Sequence, residues 1–205
     1  MSAYLMSEYL TPMSKRSQQK SDTRHLIIDN AHMLFSAYGF TATPTLDIAK
    51  QAGISHGSIF AHFNTREDLI VSVVDAFAFK LKEKFEELQI QHPSFSAFLE
   101  AHLHVMEEFE PLYSRLIAEE AILPKEISQQ LVLLQGGIAK YFHASLQEDP
   151  SILKDRLPPS SFIFNLWIGL LHYYLTRKSY FIEEGSLFKI KGPEIIHHFL
   201  QLIRK

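Results

Sequence analysis

Residues 43–63 read TPTLDIAKQAGISHGSIFAHF, and this stretch decides the fold. Thr43 is a candidate helix cap. Pro44 suits the first helical position, where its missing N–H removes a donor that has no partner there anyway. Leu46, Ile48, Ala49 and Ala52 form a short apolar run closed by Gly53. Ser55 opens a second short helix with Ile59 and Phe63 on one face. Two short helices joined by a tight turn containing Gly make a helix-turn-helix. Ala49 and Ala52 are small enough for close helix approach, and Gly53 lets the backbone reverse with positive φ. The predicted buried set is Leu46, Ile48, Ala49, Ile54, Ile59 and Phe63. Ser55, His56, Gly57, Ser58, Ala61 and His62 are left outward. That face is small and hydrogen-bonding, as entry into a DNA major groove requires.

Working outward, Ile27, Ala31, Leu34 and Tyr38 keep the 4-3-4 spacing of one helical face, with Asp22 as the expected N-cap and Gly39 as the stop. Residues 1–20 lack apolar periodicity and are read as a flexible basic arm. Residues 21–66 form the helix-turn-helix domain and 67–205 a helical body. A long helix opens near Arg66 with Glu67 and Asp68 in its first turn, where acids are favoured. It continues through Leu69, Val73, Phe77, Leu81, Phe85 and Leu88. Further helices are predicted at about 94–109, 111–122, 125–147, 160–178 and 193–204, with prolines at most joints. The expected fold is all-α with about nine helices: a three-helix N-terminal domain and a C-terminal ligand-binding and dimerisation domain.

Composition narrows the possibilities. Apolar residues make up 46% of the chain, enough for a sizeable core. The absence of Cys excludes disulfides, thiolate metal sites and a cysteine nucleophile. MSAYLMSEYL carries no basic segment followed by a long apolar one, so no secretory signal is read and a cytoplasmic address fits. The most apolar stretch, 162–175, is too short for a bilayer, which needs about 20 residues. Residues 1–66 carry six Lys or Arg against four acids, whereas the acids dominate afterwards, which suits a nucleic-acid-binding module at that end.

The stretch 24–77 resembles the DNA-binding domain of the tetracycline-repressor (TetR) family. Its carriers are Ala31, Phe35, Gly39, Phe40, Ala42 and Thr43, then Asp47-Ile48-Ala49, Ala52-Gly53-Ile54-Ser55, Gly57-Ser58-Ile59-Phe60, His62-Phe63 and Glu67-Asp68-Leu69. The resemblance implies a recognition helix over about 55–63, with Ser55, His56, Gly57, Ser58 and His62 near bases or phosphates. It implies phosphate contacts from Thr43 and Thr45, and a phosphate clamp at Arg66, where the family usually has Lys. Phe60 stands where a Tyr hydroxyl usually meets phosphate, and Leu46 where a polar residue is frequent. Lys15, Arg16, Lys20 and Arg24 are the cations placed to compensate. The implied activity is ligand-responsive transcriptional regulation, with repression the expected output. A homodimer would bind near-palindromic double-stranded DNA and release it to a small-molecule effector. No cofactor, metal or membrane partner is implied.

In the body, His102, Met106, Phe109, Tyr113, His143, Asn165 and Trp167 are the candidate effector pocket, combining aromatic rings with polar groups. Gly136-Gly137 weakens its predicted helix and marks a close contact or a bend beside a pocket. Phe164, Trp167, Leu171, Tyr174, Ile195 and Phe199 are the candidate dimer interface. A helical enzyme and a helical protein-partner adaptor are the competing classes. No catalytic residues are assigned, because no HExxH, P-loop, GxGxxG or GxSxG pattern occurs. His104 and Glu108 share a helix face, but two ligands do not make a metal site.

Overall fold

The structure, a computed structural model, describes residues 14–89, 94–152, 155 and 157–203. Among these residues it is all-helical. The helices are α1 (Lys15–Tyr38), α2 (Thr45–Gln51), α3 (His56–Phe60), α4 (Arg66–Gln89) and α5 (Phe95–Glu119). After a 3-10 turn (Glu120–Ile122) come α6 (Lys125–Glu148), α7 (Ser160–Thr176), α8 (Lys178–Phe181) and α9 (Leu187–Ile203).

α1 starts seven residues before the expected Asp22 cap. Ser14 is the cap: its hydroxyl accepts from Ser17 N–H at 3.2 Å. No Gly or Pro follows to break the helix, and Gln18 donates to Asp22 one turn on at 2.8 Å. The helix therefore takes in 15–20, which the sequence reading assigned to a flexible arm; residues 1–13 of that arm lie outside the described residues. The buried face of α1 is Ile27, Ile28, Ala31 and Phe35, while Tyr38 is exposed.

α5 is the central strut, packed against α1, α4, α6, α7 and α9. It runs straight through Pro111, which the sequence reading took as a joint. Pro in a helix interior costs about 3 kcal/mol. Here Phe109, Glu110, Leu112 and Tyr113 are all buried around it, so tertiary packing holds the helix through the missing N–H. Glu110 also explains where α9 begins. Its carboxylate, 1% exposed, accepts from the N–H groups of Leu187 (2.9 Å) and Phe188 (3.2 Å), from Ser186 Oγ (2.7 Å) and from Lys178 Nζ (2.5 Å). A buried carboxylate thus satisfies the first donors of α9 six residues ahead of Pro193, where the helix was expected to start.

Candidate nucleic-acid interface

The N-terminal unit is held by Ile27, Ala31, Phe35, Phe40, Ile48, Ala49, Ile59, Phe63 and Leu69, all buried in one core. Gly53 takes φ 67°, and Ile54 N–H closes the turn onto Ala49 O at 3.0 Å. Ser55 caps α3, accepting from Ser58 N–H at 3.2 Å, and the two hydroxyls meet at 2.7 Å. Thr45 Oγ1 lies 2.9 Å from His56 Nε2, tying the first turn of α2 to the first turn of α3. The His56 ring meets Phe60 edge-on at 5.3 Å. Ser55, His56, Gly57, Phe60 and Ala61 are exposed, and Thr45 and Ser58 are half-buried at the same surface. A Cβ on Gly57 would meet no other group within 4 Å beyond its own helix backbone and chain neighbours, so that surface is open.

Two expected contacts turn inward. Thr43 is buried, and its hydroxyl donates to Gly39 O at 2.7 Å, so it faces the fold rather than a phosphate. Arg66 is half-buried; its guanidinium donates through Nη2 to Phe40 O and, at 3.5 Å, to Thr43 O, which ties it to the α1–α2 turn. Leu46, expected in the core, is exposed because Ile48 and Ala49 fill that face.

α1 also carries cations on this unit. Arg24 stacks 4.7 Å over the Phe63 ring and donates to Ser72 Oγ at 2.9 Å. His62 is half-buried, with Nδ1 unpartnered among the described residues. Its pKa lies below the usual imidazole value, first through burial and then through repulsion by Lys20 and Arg24. Both charges thus act on the His62 ring, just beyond the end of α3.

Residues 27–73 match the family model described as bacterial regulatory proteins, tetR family. The helix-turn-helix belongs to the tetR family. The chain carrying this TetR-family head is 32% identical over 113 residues to the HTH-type transcriptional regulator AcrR of Shigella flexneri, covering 54% of this chain and 53% of that protein. The HTH-type transcriptional repressor KstR2 of Rhodococcus jostii is 33% identical over 90 residues, 44% of each chain. The chain thus spans about half the length of the curated relatives it matches. Among solved structures, the TetR-family regulator PfmR of Thermus thermophilus aligns with a TM-score of 0.65 at 17% identity, over 87% of this chain and 97% of that one. FadR of Bacillus subtilis, solved in complex with stearoyl-CoA, aligns with a TM-score of 0.65 at 17% identity, over 85% of this chain and 96% of that one. These likenesses extend the shared fold from the TetR-family head through the helical body.

In the body behind the TetR-family head, the expected pocket residues do not gather around one opening. His102, Met106, Phe109, Tyr113 and Trp167 are buried core. Trp167 Nε1 donates to His102 Nδ1 at 3.0 Å, and Tyr113 Oη pairs with His172 Nε2 at 2.8 Å. Asn165 is exposed, and His143 is half-buried with Nδ1 unpartnered among the described residues. An open groove of about 360 Å³ lies elsewhere, between α4 and α6, with a floor that includes Leu81, Phe85, Leu134, Gly137 and Ile138. Gly137 lines it; a Cβ on Gly136 or Gly137 would meet only open space, so the close helix contact expected at this pair is not found among the described residues.

The expected dimer residues are also core. Phe164, Trp167, Leu171, Ile195 and Phe199 are buried, and Tyr174 is half-buried. The other side of α7 is the free one: Phe162 (59% exposed), Leu166 (43%), Gly169 and Tyr173 (53%) form its apolar stripe. α7 is apolar nearly all round, so periodicity alone could not tell the inner face from the outer.

Proposed function

We propose that this chain is a ligand-responsive transcriptional regulator acting as a homodimer on a near-palindromic DNA operator in the cytoplasm. The observation that carries this reading is the α3 surface. Ser55, His56 and Gly57 lie exposed at the start of α3 on a head whose core is filled by Ile48, Ala49, Ile59 and Phe63, and Lys20 and Arg24 of α1 stand near His62 beyond the other end of α3. Small donors and acceptors on a fixed helix can reach base edges, while the cations hold the phosphates. The role needs neither catalysis nor a cofactor.

The exposed stripe of α7 is the surface for a second copy. Two-fold pairing there sets two α3 helices about 34–36 Å apart, one DNA turn. The groove between α4 and α6 is the effector site. Its lining is predominantly apolar, with Asp75, Lys82, Glu86 and Lys140 at the rim, so it fits a small apolar molecule bearing one polar end. FadR of Bacillus subtilis, which shares the fold, was solved in complex with stearoyl-CoA, whose acyl chain is apolar. α4 lines the groove from Asp75 to Glu86 and begins at Arg66, which grips the head, so occupancy is transmitted along one helix. A coupling of about 1–3 kcal/mol suffices for such a switch.

Selection from a pool of random duplexes tests the reading. Recovery of a two-fold symmetric motif with half-sites about 10 base pairs apart is the expected result. A pool that stays random after repeated rounds contradicts it.

A further inference from the structure

The turn between α1 and α2 is gripped from two sides by the body. From α5, the Glu119 carboxylate accepts from Phe40 N–H (3.0 Å), Thr41 N–H (2.8 Å) and Thr41 Oγ1 (2.7 Å). One turn earlier on α5, Arg115 donates to Ala37 O at 2.9 Å, holding the last turn of α1. From α4, Arg66 takes the carbonyls of Phe40 and Thr43. An anion thus holds the donors of the turn and a cation its acceptors. Gly39 is part of the same fit. Its φ is 91°, and a Cβ there would collide with Glu119 Oε1, so a side chain at 39 would expel the carboxylate.

We propose that Glu119 is a positioning residue for DNA recognition: through the Phe40–Thr41 turn it fixes how α2 and α3 are set on the body. The geometry supports this over simple reinforcement of the core. The three bonds cross 78 and 79 residues of sequence, and the Thr41 bonds lie at an exposed edge, where they add little to burial. Charge-assisted bonds of this kind define a direction in a way that apolar packing does not. α5 carries the clamp at its C-terminal end, so the head is referred to the central strut as well as to α4. The consequence for DNA rests on the regulator reading above; the consequence for head orientation does not.

The test uses the full chain, which has no Cys and so accepts two introduced ones. Gln51→Cys on α2 and Glu126→Cys on α6 are exposed sites for spin labels, and dilution with unlabelled chain leaves only within-chain distances. Pulsed dipolar measurements should give one narrow distance for the parent, a clearly broader distribution for Glu119→Ala, and an intermediate one for Glu119→Gln, which keeps one acceptor oxygen. Thermal melting should stay cooperative. On a selected duplex, Glu119→Ala should lose about tenfold in affinity while a scrambled duplex changes by less than about twofold. A distribution for Glu119→Ala as narrow as the parent's overturns the proposal. If Glu119→Ala fails to fold, Glu119→Gln carries the decision by the same width. Failure to select any duplex contradicts the regulator reading, and the distance measurement still decides the clamp.

Discussion

Trp167 on α7 donates its indole N–H to Nδ1 of His102 on α5 at 3.0 Å, and both rings are sealed in the core. The acceptor nitrogen must be unprotonated, so the folded chain needs neutral His102. Burial pushes its pKa down to about 3. In the unfolded chain the imidazole takes up a proton near pH 6.5. The contribution to stability is therefore complete above pH 6.5 and is lost as pH falls from there toward 3, by up to about 1.4 kcal/mol per pH unit. Denaturant midpoints measured between pH 7.5 and 5 should fall for the parent and fall less for His102→Gln, which can still accept from Trp167 but does not titrate.

Glu110 works in the same pH direction at its own value. Burial alone would raise its pKa, but Lys178, Ser186 and the N–H groups of Leu187 and Phe188 outweigh that and hold it below the ordinary carboxylate value. Its stabilisation is present above about pH 4.5, the unfolded value, and is lost as pH falls through the lower folded value. Glu110→Gln should cost about 2–4 kcal/mol in urea unfolding at pH 7, because four donors lose an anionic acceptor in a buried site. Hydrogen exchange should report the loss first at Leu187 and Phe188.

The head was legible in the sequence because its signals are local. Gly53, Ser55 and the small Ala49 and Ala52 act within a few residues of themselves, and Ile48, Ile59 and Phe63 fall inside as their spacing requires. What escaped was set by distant partners. Thr43 and Arg66 match the family by position, yet the α1–α2 turn takes the Thr43 hydroxyl and one end of the Arg66 guanidinium. α9 begins at Leu187 because Glu110, 77 residues earlier, supplies its cap. Polar residues among aromatics in α5 and α7 read as a pocket, but His102 and Trp167 satisfy one another, leaving the groove to a helix face thinned by Gly137.

The groove between α4 and α6 should take apolar anions such as 8-anilinonaphthalene-1-sulfonate, with enhanced dye fluorescence. Gly137→Phe places a ring in the open space there and should reduce that enhancement several-fold at unchanged helicity. Dye enhancement that Gly137→Phe leaves intact would locate the apolar site elsewhere.

Leu166→Glu puts a charge in the middle of the exposed α7 stripe without touching the buried face. Sedimentation should find a dimer for the parent and a folded monomer for this variant, since an unpaired charge buried in an interface costs several kcal/mol. Leu171→Glu, on the inner face, should instead unfold the body. A variant that stays dimeric with glutamate at 166 would remove this stripe from the interface.

The most direct test of the central claim is the affinity of His56→Ala for a selected duplex beside a scrambled one of equal length, at one salt concentration. His56 is exposed, stands at the first position of α3, and is aimed by Thr45 across the turn at 2.9 Å. Losing a base-edge contact there should weaken the selected duplex by about tenfold and the scrambled one by less than about twofold. Equal losses on both would contradict base reading by α3.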